Sequence, residues 1–201
     1  MWADVFLAGM SLFVLLLVVT AVAHIWIPVP YIPTPMAVAR LMVREARLTG
    51  RETVYDLGAG DGRLVIEAAR AHPGVRAVGI EFVPTVWALG KLRIAFARVP
   101  VTFRLGNVLR QDLADADCIF LYLIPKLMRK LEAKFDRELK PGTTVISYAF
   151  HFPERAPVRK VKVPWLGTER YLWVYQWSSI PARQADLTLP FEALKGSGVE
   201  G

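Results

Sequence analysis

At 201 residues the chain is long enough for one domain with an appendage and too short for two full domains. Hydrophobic residues make up 54% and crowd the first forty positions, so the excess marks a segment and not an unusually apolar core. The net charge of +7 suits nucleic acid, an anionic membrane or an acidic partner without choosing among them, while a single cysteine, Cys118, excludes an internal disulfide and a cysteine-built zinc site; no metal is expected.

In chain order, Val5 to Ile27 is apolar enough and long enough to cross a hydrocarbon core of roughly 30 Å as a helix. A cleaved signal ending at Ala21-Val22-Ala23 is the rival reading, but Asp4 and the lack of any basic residue before the apolar run oppose it. Arg40, Arg44, Arg47 and Arg51 follow the span, so the positive-inside rule predicts a single-pass membrane protein with its C-terminal bulk in the cytoplasm. Trp2 and Trp26 bracket the span as interfacial anchors, and His24 is read as an interfacial polar residue without function. Residues 1–27 are thus the anchor and 28–35 a connector, whose four prolines cannot continue a helix and should run extended and stiff.

From 36 to 180 strand-like apolar runs alternate with helix-periodic stretches, which predicts an α/β domain on a mostly parallel sheet. The expected elements are helix 36–47, strand 53–57, helix 62–71, strand 76–81, helix 85–97 and strand 101–105. A strand over 118–123 follows, with Cys118 as a core residue. Next comes a helix opening at Pro125, with Leu127, Met128, Leu131, Phe135 and Leu139 on one face and Pro141-Gly142 as its stop. Strand 144–149 and a closing hairpin near 158–163 and 170–177 complete the sheet, and the tail 181–201 is expected to be mobile.

The strongest local signal is Val54-Tyr55-Asp56-Leu57-Gly58-Ala59-Gly60-Asp61-Gly62-Arg63, a short apolar strand running into glycines and at once into a helix. Glycines let the backbone pass close to a ligand, and the helix start offers unpaired N–H groups, so the segment reads as a cofactor-binding turn. Its G-x-G-x-G spacing differs from the G-x-G-x-x-G of a dinucleotide site, and no G-K-S or G-K-T follows as in a phosphate loop.

Asp56, Gly58, Gly60 and Gly62 resemble the first motif of class I S-adenosylmethionine-dependent methyltransferases, whose Rossmann-like seven-stranded sheet and reversed hairpin match the element list. The resemblance implies S-adenosyl-L-methionine as cofactor, bound by Asp56, Gly58, Ala59, Gly60 and Gly62, with Glu81 accepting both ribose hydroxyls and Asn107 facing the adenine amino group. Leu121-Tyr122-Leu123-Ile124-Pro125 lacks the Asn/Asp-Pro-Pro-Tyr signature of enzymes that methylate nucleic-acid amines, and no basic-aromatic stacking platform is evident, so nucleic acid is not expected as partner.

Over about 28 to 177 the layout is similar to a narrower family, the membrane-anchored lysine methyltransferases of the ATP synthase c-subunit and ADP/ATP carrier type and their prokaryotic relatives. The residues carrying that likeness are the N-terminal span, Tyr31-Ile32-Pro33-Thr34-Pro35, Asp56 to Arg63, Val78-Gly79-Ile80-Glu81, the strand ending at Pro125, and Phe150-His151-Phe152-Pro153. It implies that the proline segment folds over the cofactor pocket, making Tyr31 and Thr34 pocket residues. Tyr122, and secondly His151, are the candidates for orienting an incoming amine, since both should lie at the C-terminal edge of the sheet. The expected acceptor is lysine of a small integral membrane protein, reached because the anchor confines the pocket to the bilayer. The alternatives are a phospholipid or lipophilic small molecule, for which Arg155, Arg159, Lys160 and Lys162 form a candidate headgroup run, and a non-catalytic scaffold that only binds cofactor.

Overall fold

The computed structural model describes residues 2–26, 31–163 and 169–178. The side chains of 20 and 23–26, the connector at 27–30 and the tail lie outside the described residues, and with them the expectations for His24, Trp26 and a mobile terminus.

The first helix, α1 (Trp2–Trp26), is apolar on every side and nearly all its described side chains are exposed. A helix of that composition has no polar face to turn to water. Its stretch Trp2–Val19 is long and apolar enough to cross a membrane, by length and composition.

Seven strands follow: β1 (Thr53–Leu57), β2 (Arg76–Glu81), β3 (Val101–Leu105), β4 (Cys118–Leu121), β5 (Thr144–Tyr148), β6 (Arg159–Val163) and β7 (Arg170–Gln176). They form one sheet in the order β3-β2-β1-β4-β5-β7-β6. β1 to β5 pair in parallel, and β7 inserts antiparallel between β5 and β6. The inner strands are apolar on both faces because helices cover both. Val54, Cys118, Phe120 and Ile146 point to one layer with helices α2 (Met36–Ala46), α3 (Arg63–Ala71) and α4 (Pro84–Ala97). Tyr55, Ile119, Leu121 and Val145 point to the other, covered by α5 (Pro125–Glu138) through Met128, Leu131 and Phe135. Cys118 is fully buried in this core, and burial pushes its thiol up.

Several boundaries move from their expected places, each for a local reason. β4 stops at Leu121, two residues early, because Tyr122 and Leu123 leave the ladder to line a cavity. α3 opens at Arg63, since Gly62 at φ 75° serves as its cap. A 3-10 turn at Val108–Arg110, not foreseen, is capped by the Asn107 side chain, which accepts from Leu109 N–H at 2.9 Å.

The basic run is not a free patch. Arg155 is buried, stacks 3.9 Å over Trp177 and pairs with Asp136, while Arg159 reaches Glu45 at 2.7 Å and ties β6 to α2. Lys162 pairs with Glu169, and Lys160 lies 3.8 Å from the Tyr171 ring centre. Lysines on an edge strand also hinder pairing with another chain.

Candidate active site

The sheet reverses direction between β1 and β4, whose neighbours are wound to opposite sides, and ligands bind in α/β folds at such a switch point. A cavity of about 370 Å³ opens there, outside the carboxyl ends of β1, β2 and β4, within the range of small-molecule sites.

Its floor is the glycine turn. Gly58 and Ala59 both donate to the Ile80 carbonyl oxygen at 2.9 Å, which folds the turn back over β2. Gly58 and Gly60 have φ of 80° and 58°, where other residues are strained. A Cβ on Gly58 would come within 2.7 Å of the Leu123 side chain, and one on Gly60 within 2.9 Å of the Tyr31 ring. The missing side chains therefore keep this cradle open. Gly62, expected with them, does not line the cavity; it packs behind the turn, where a Cβ would meet Ile94 at 3.2 Å.

Glu81 lies buried at the end of β2. One carboxylate oxygen accepts from Gly60 N–H at 2.8 Å, the other from Phe82 and Val83 N–H at 2.9 and 2.8 Å. Three of roughly four acceptor positions of a carboxylate are thereby used. The expectation that Glu81 serves two ribose hydroxyls must be narrowed: its first duty is to pin the turn, and a hydroxyl must share its oxygens. Asp56 lines the same cavity fully buried; desolvation, reinforced by the Glu81 charge, pushes its carboxyl up to about 8.

A clamp that the motif did not reveal closes one side. Buried Asp61 receives the fork of Arg63, Nε to Oδ1 at 2.9 Å and Nη2 to Oδ2 at 2.7 Å, and a further bond from Arg93. Arg63 Nη1 then donates to the Thr34 carbonyl oxygen at 2.8 Å. The strap 31–34 is thus tied across the mouth, with Tyr31 seated on Gly60 and both Tyr31 and Thr34 lining the cavity. An acid and a base on either side of Gly62 were the visible signal, but nothing local named Thr34 as their partner.

The opposite wall is Tyr122, Leu123 and Ile124 from the end of β4, with Asn107, Lys126 and Lys130. The Tyr122 hydroxyl accepts from Arg170 at 3.3 Å, and its ring centre is 4.7 Å from that of Tyr148. Asn107 uses its oxygen on the Leu109 N–H, so only the second lone pair can serve an adenine amino group. His151 is not brought to the site: it is exposed, outside the lining, with Nδ1 3.0 Å from the Phe152 carbonyl and its ring against Trp173. Among the described residues no group of acidic, histidine or cysteine side chains could hold a metal.

An open glycine cradle, a buried acid at the end of β2 and an apolar wall fit an adenosyl group, and the sheet order is that of class I methyltransferases. Fold and site define an S-adenosylmethionine-dependent methyltransferase. The chain belongs to the family described as the ANTKMT methyltransferase domain, which matches residues 56–159.

It is similar to a protein-lysine N-methyltransferase of Saccharolobus islandicus, 36% identical over 142 residues, 67% of this chain and 85% of that protein. It is also similar to the Mus musculus lysine N-methyltransferase of the ATP synthase c-subunit, 32% identical over 64% of this chain, and spans 51% of that protein's length. The adenine nucleotide translocase lysine N-methyltransferase of the same organism is 31% identical over 72% of this chain and 62% of its own. Among solved structures, an RNA methyltransferase from Salinibacter ruber in complex with S-adenosyl-L-homocysteine superposes with a TM-score of 0.67 at 37% identity. That match covers 75% of this chain and 97% of the other.

Proposed function

We propose that this protein is a membrane-anchored protein-lysine N-methyltransferase acting on small integral membrane proteins. The observation that carries the lysine reading is the set of relatives just described: the archaeal and both mouse proteins are lysine methyltransferases, two of them acting on the ATP synthase c-subunit or the adenine nucleotide translocase. Anchoring is supported by α1, with the four arginines at 40, 44, 47 and 51 favouring a cytoplasmic domain. The organisation proposed is anchor 1–27, connector 28–35, methyltransferase domain 36–180 and tail 181–201.

S-adenosylmethionine, when bound, supplies an electrophilic methyl group on a sulfonium. Gly58, Ala59, Gly60, Glu81, Asn107 and the Tyr31–Thr34 strap would hold it, while Asp56 shapes the floor. The chain's own task is alignment and exclusion of water. Tyr122, on the wall facing the turn, is suited to orient an entering amine. Lys126 and Lys130 line the same cavity, and positive charge there disfavours the protonated form of an entering amine, which releases its proton to solvent before transfer. His151 stays outside this arrangement.

A nucleic-acid acceptor is the second reading. The Salinibacter likeness favours it, as does Lys160 lying 3.8 and 4.8 Å from the Tyr171 and Trp173 ring centres on the open sheet edge.

The test is incubation with radiolabelled S-adenosylmethionine and membranes and RNA of the source cell, for wild type and Glu81→Ala, followed by separation of protein, lipid and RNA. Label in a small membrane protein, lost in the variant, is the expected result. Label in RNA or lipid moves the acceptor class accordingly, and cofactor binding without any label would leave only a scaffold.

A further inference from the structure

α4 is inside out for a surface helix. Its buried line is thin, Gly90 and Ile94, while Leu89, Leu92 and Phe96 are 50%, 55% and 79% exposed. Spacings of three and four put these three on one face, pointing away from the sheet. By the same angles Arg93, which is bound to Asp61, flanks that face, Lys91 lies nearer the buried line, and the helix contains no Asp or Glu. An exposed apolar face on a helix without carboxylates suits the interface of a bilayer.

Two further observations say what covers this face. α1, the candidate span, touches α4 and little else. The stripe also borders a shallow depression that shares Tyr31, Asp61 and Arg63 with the main cavity. Span, strap, stripe and cavity mouth therefore lie on one side of the domain.

The geometry points to the outer face of α4 as a membrane-docking surface, with Leu89, Leu92 and Phe96 seated in the interface of the bilayer that holds α1. This rests on the reading of α1 as an anchor in the same membrane. Docking fixes the orientation of the anchored domain, with its cavity mouth held at headgroup level. The substrates it favours are then membrane proteins whose acceptor amine lies in that layer, not on a distant loop.

Cys118 is buried and inert, so introduced cysteines can be labelled selectively. An environment-sensitive fluorophore is placed in the full chain at Phe96→Cys, at Phe13→Cys in α1, and at Ala133→Cys on exposed α5 across the sheet. The probe membrane is a nanodisc of phosphatidylcholine and phosphatidylglycerol. Expected are a blue shift at 96, loss of quenching by aqueous iodide and gain of quenching by headgroup-nitroxide lipid, with position 133 fully open to iodide. Adding Leu89→Glu and Leu92→Glu should abolish the shift at 96.

Position 13 in lipid with 96 open to iodide overturns docking and leaves the anchor standing. Position 96 in lipid with 13 in water supports docking and removes the anchor. Shielding at 96 without lipid quenching means that α1 or a second copy covers the face, and also overturns the proposal.

Discussion

Replacing Arg63 with Gln should open the strap without unfolding the domain. The Arg63 side chain is 18% exposed and sits between buried Asp61 and the Thr34 carbonyl oxygen, 2.8 Å from Nη1. Gln keeps part of the packing but cannot bridge both partners. A charge-assisted hydrogen bond in such a half-buried place is worth about 1.5–3 kcal/mol. Some of that is retained because Tyr31 still rests on Gly60 and Arg93 still neutralises Asp61. At about 1.4 kcal/mol per tenfold, affinity for S-adenosylhomocysteine by calorimetry should fall about tenfold. Arg63→Lys should recover little of it, since a point charge cannot span the fork and the carbonyl. Arg76→Gln, which disturbs the exposed pair with Asp115 and a bond to the Thr53 hydroxyl at the opposite end of β1, is the control and should leave affinity unchanged. An Arg63→Gln protein binding within about a factor of two of wild type would refute the strap argument.

Asp56 gives a pH signature. Its folded carboxyl is raised from 3.8 to about 8, so across that window the folded state holds a proton that the unfolded chain releases, and stability falls as pH rises. Between pH 5 and 8 this amounts to at most about 4 kcal/mol, shared with Glu81; urea unfolding of Asp56→Asn should show a flatter slope, and an identical slope would count against it. Tyr122→Phe should lower kcat more than it raises KM, whereas His151→Ala should leave both near wild type; a larger loss at His151 would reverse the assignment. Removing Arg155, as Arg155→Met, strips Asp136 and the Ser178 carbonyl of a buried partner, at a cost of about 2–3 kcal/mol. A thermal melt should fall by about 5–10 °C, and an unchanged melt would show that the contact contributes little.

The sheet and its cofactor turn were readable because they are local. Asp56 to Gly60 announces a strand meeting a tight turn, Glu81 ends the next apolar run, and Pro125 starts a helix. Each depends only on backbone preference and alternation over a few residues. The strap was legible only through family resemblance, since Tyr31 and Thr34 carry no local mark of what they touch.

What stayed hidden depends on partners distant in sequence. Arg63 meets Thr34 across 29 positions and Arg159 meets Glu45 across 114, distances over which no periodicity carries information. For the same reason Arg155 reads as a surface cation yet is buried over Trp177, and His151 reads as a site residue yet faces solvent. α4 shows the limit most clearly. Composition alone made it a helix, but whether Leu89, Leu92 and Phe96 face the core or the outside was decided only when Gly90 and Ile94 packed on Phe103. The sequence by itself determined which segments fold into strands, helices and a cofactor turn, because those choices rest on backbone geometry over a few residues. Only the tertiary structure decided which side chains share the cavity and which apolar face is left outside, because that depends on how finite surfaces close against one another.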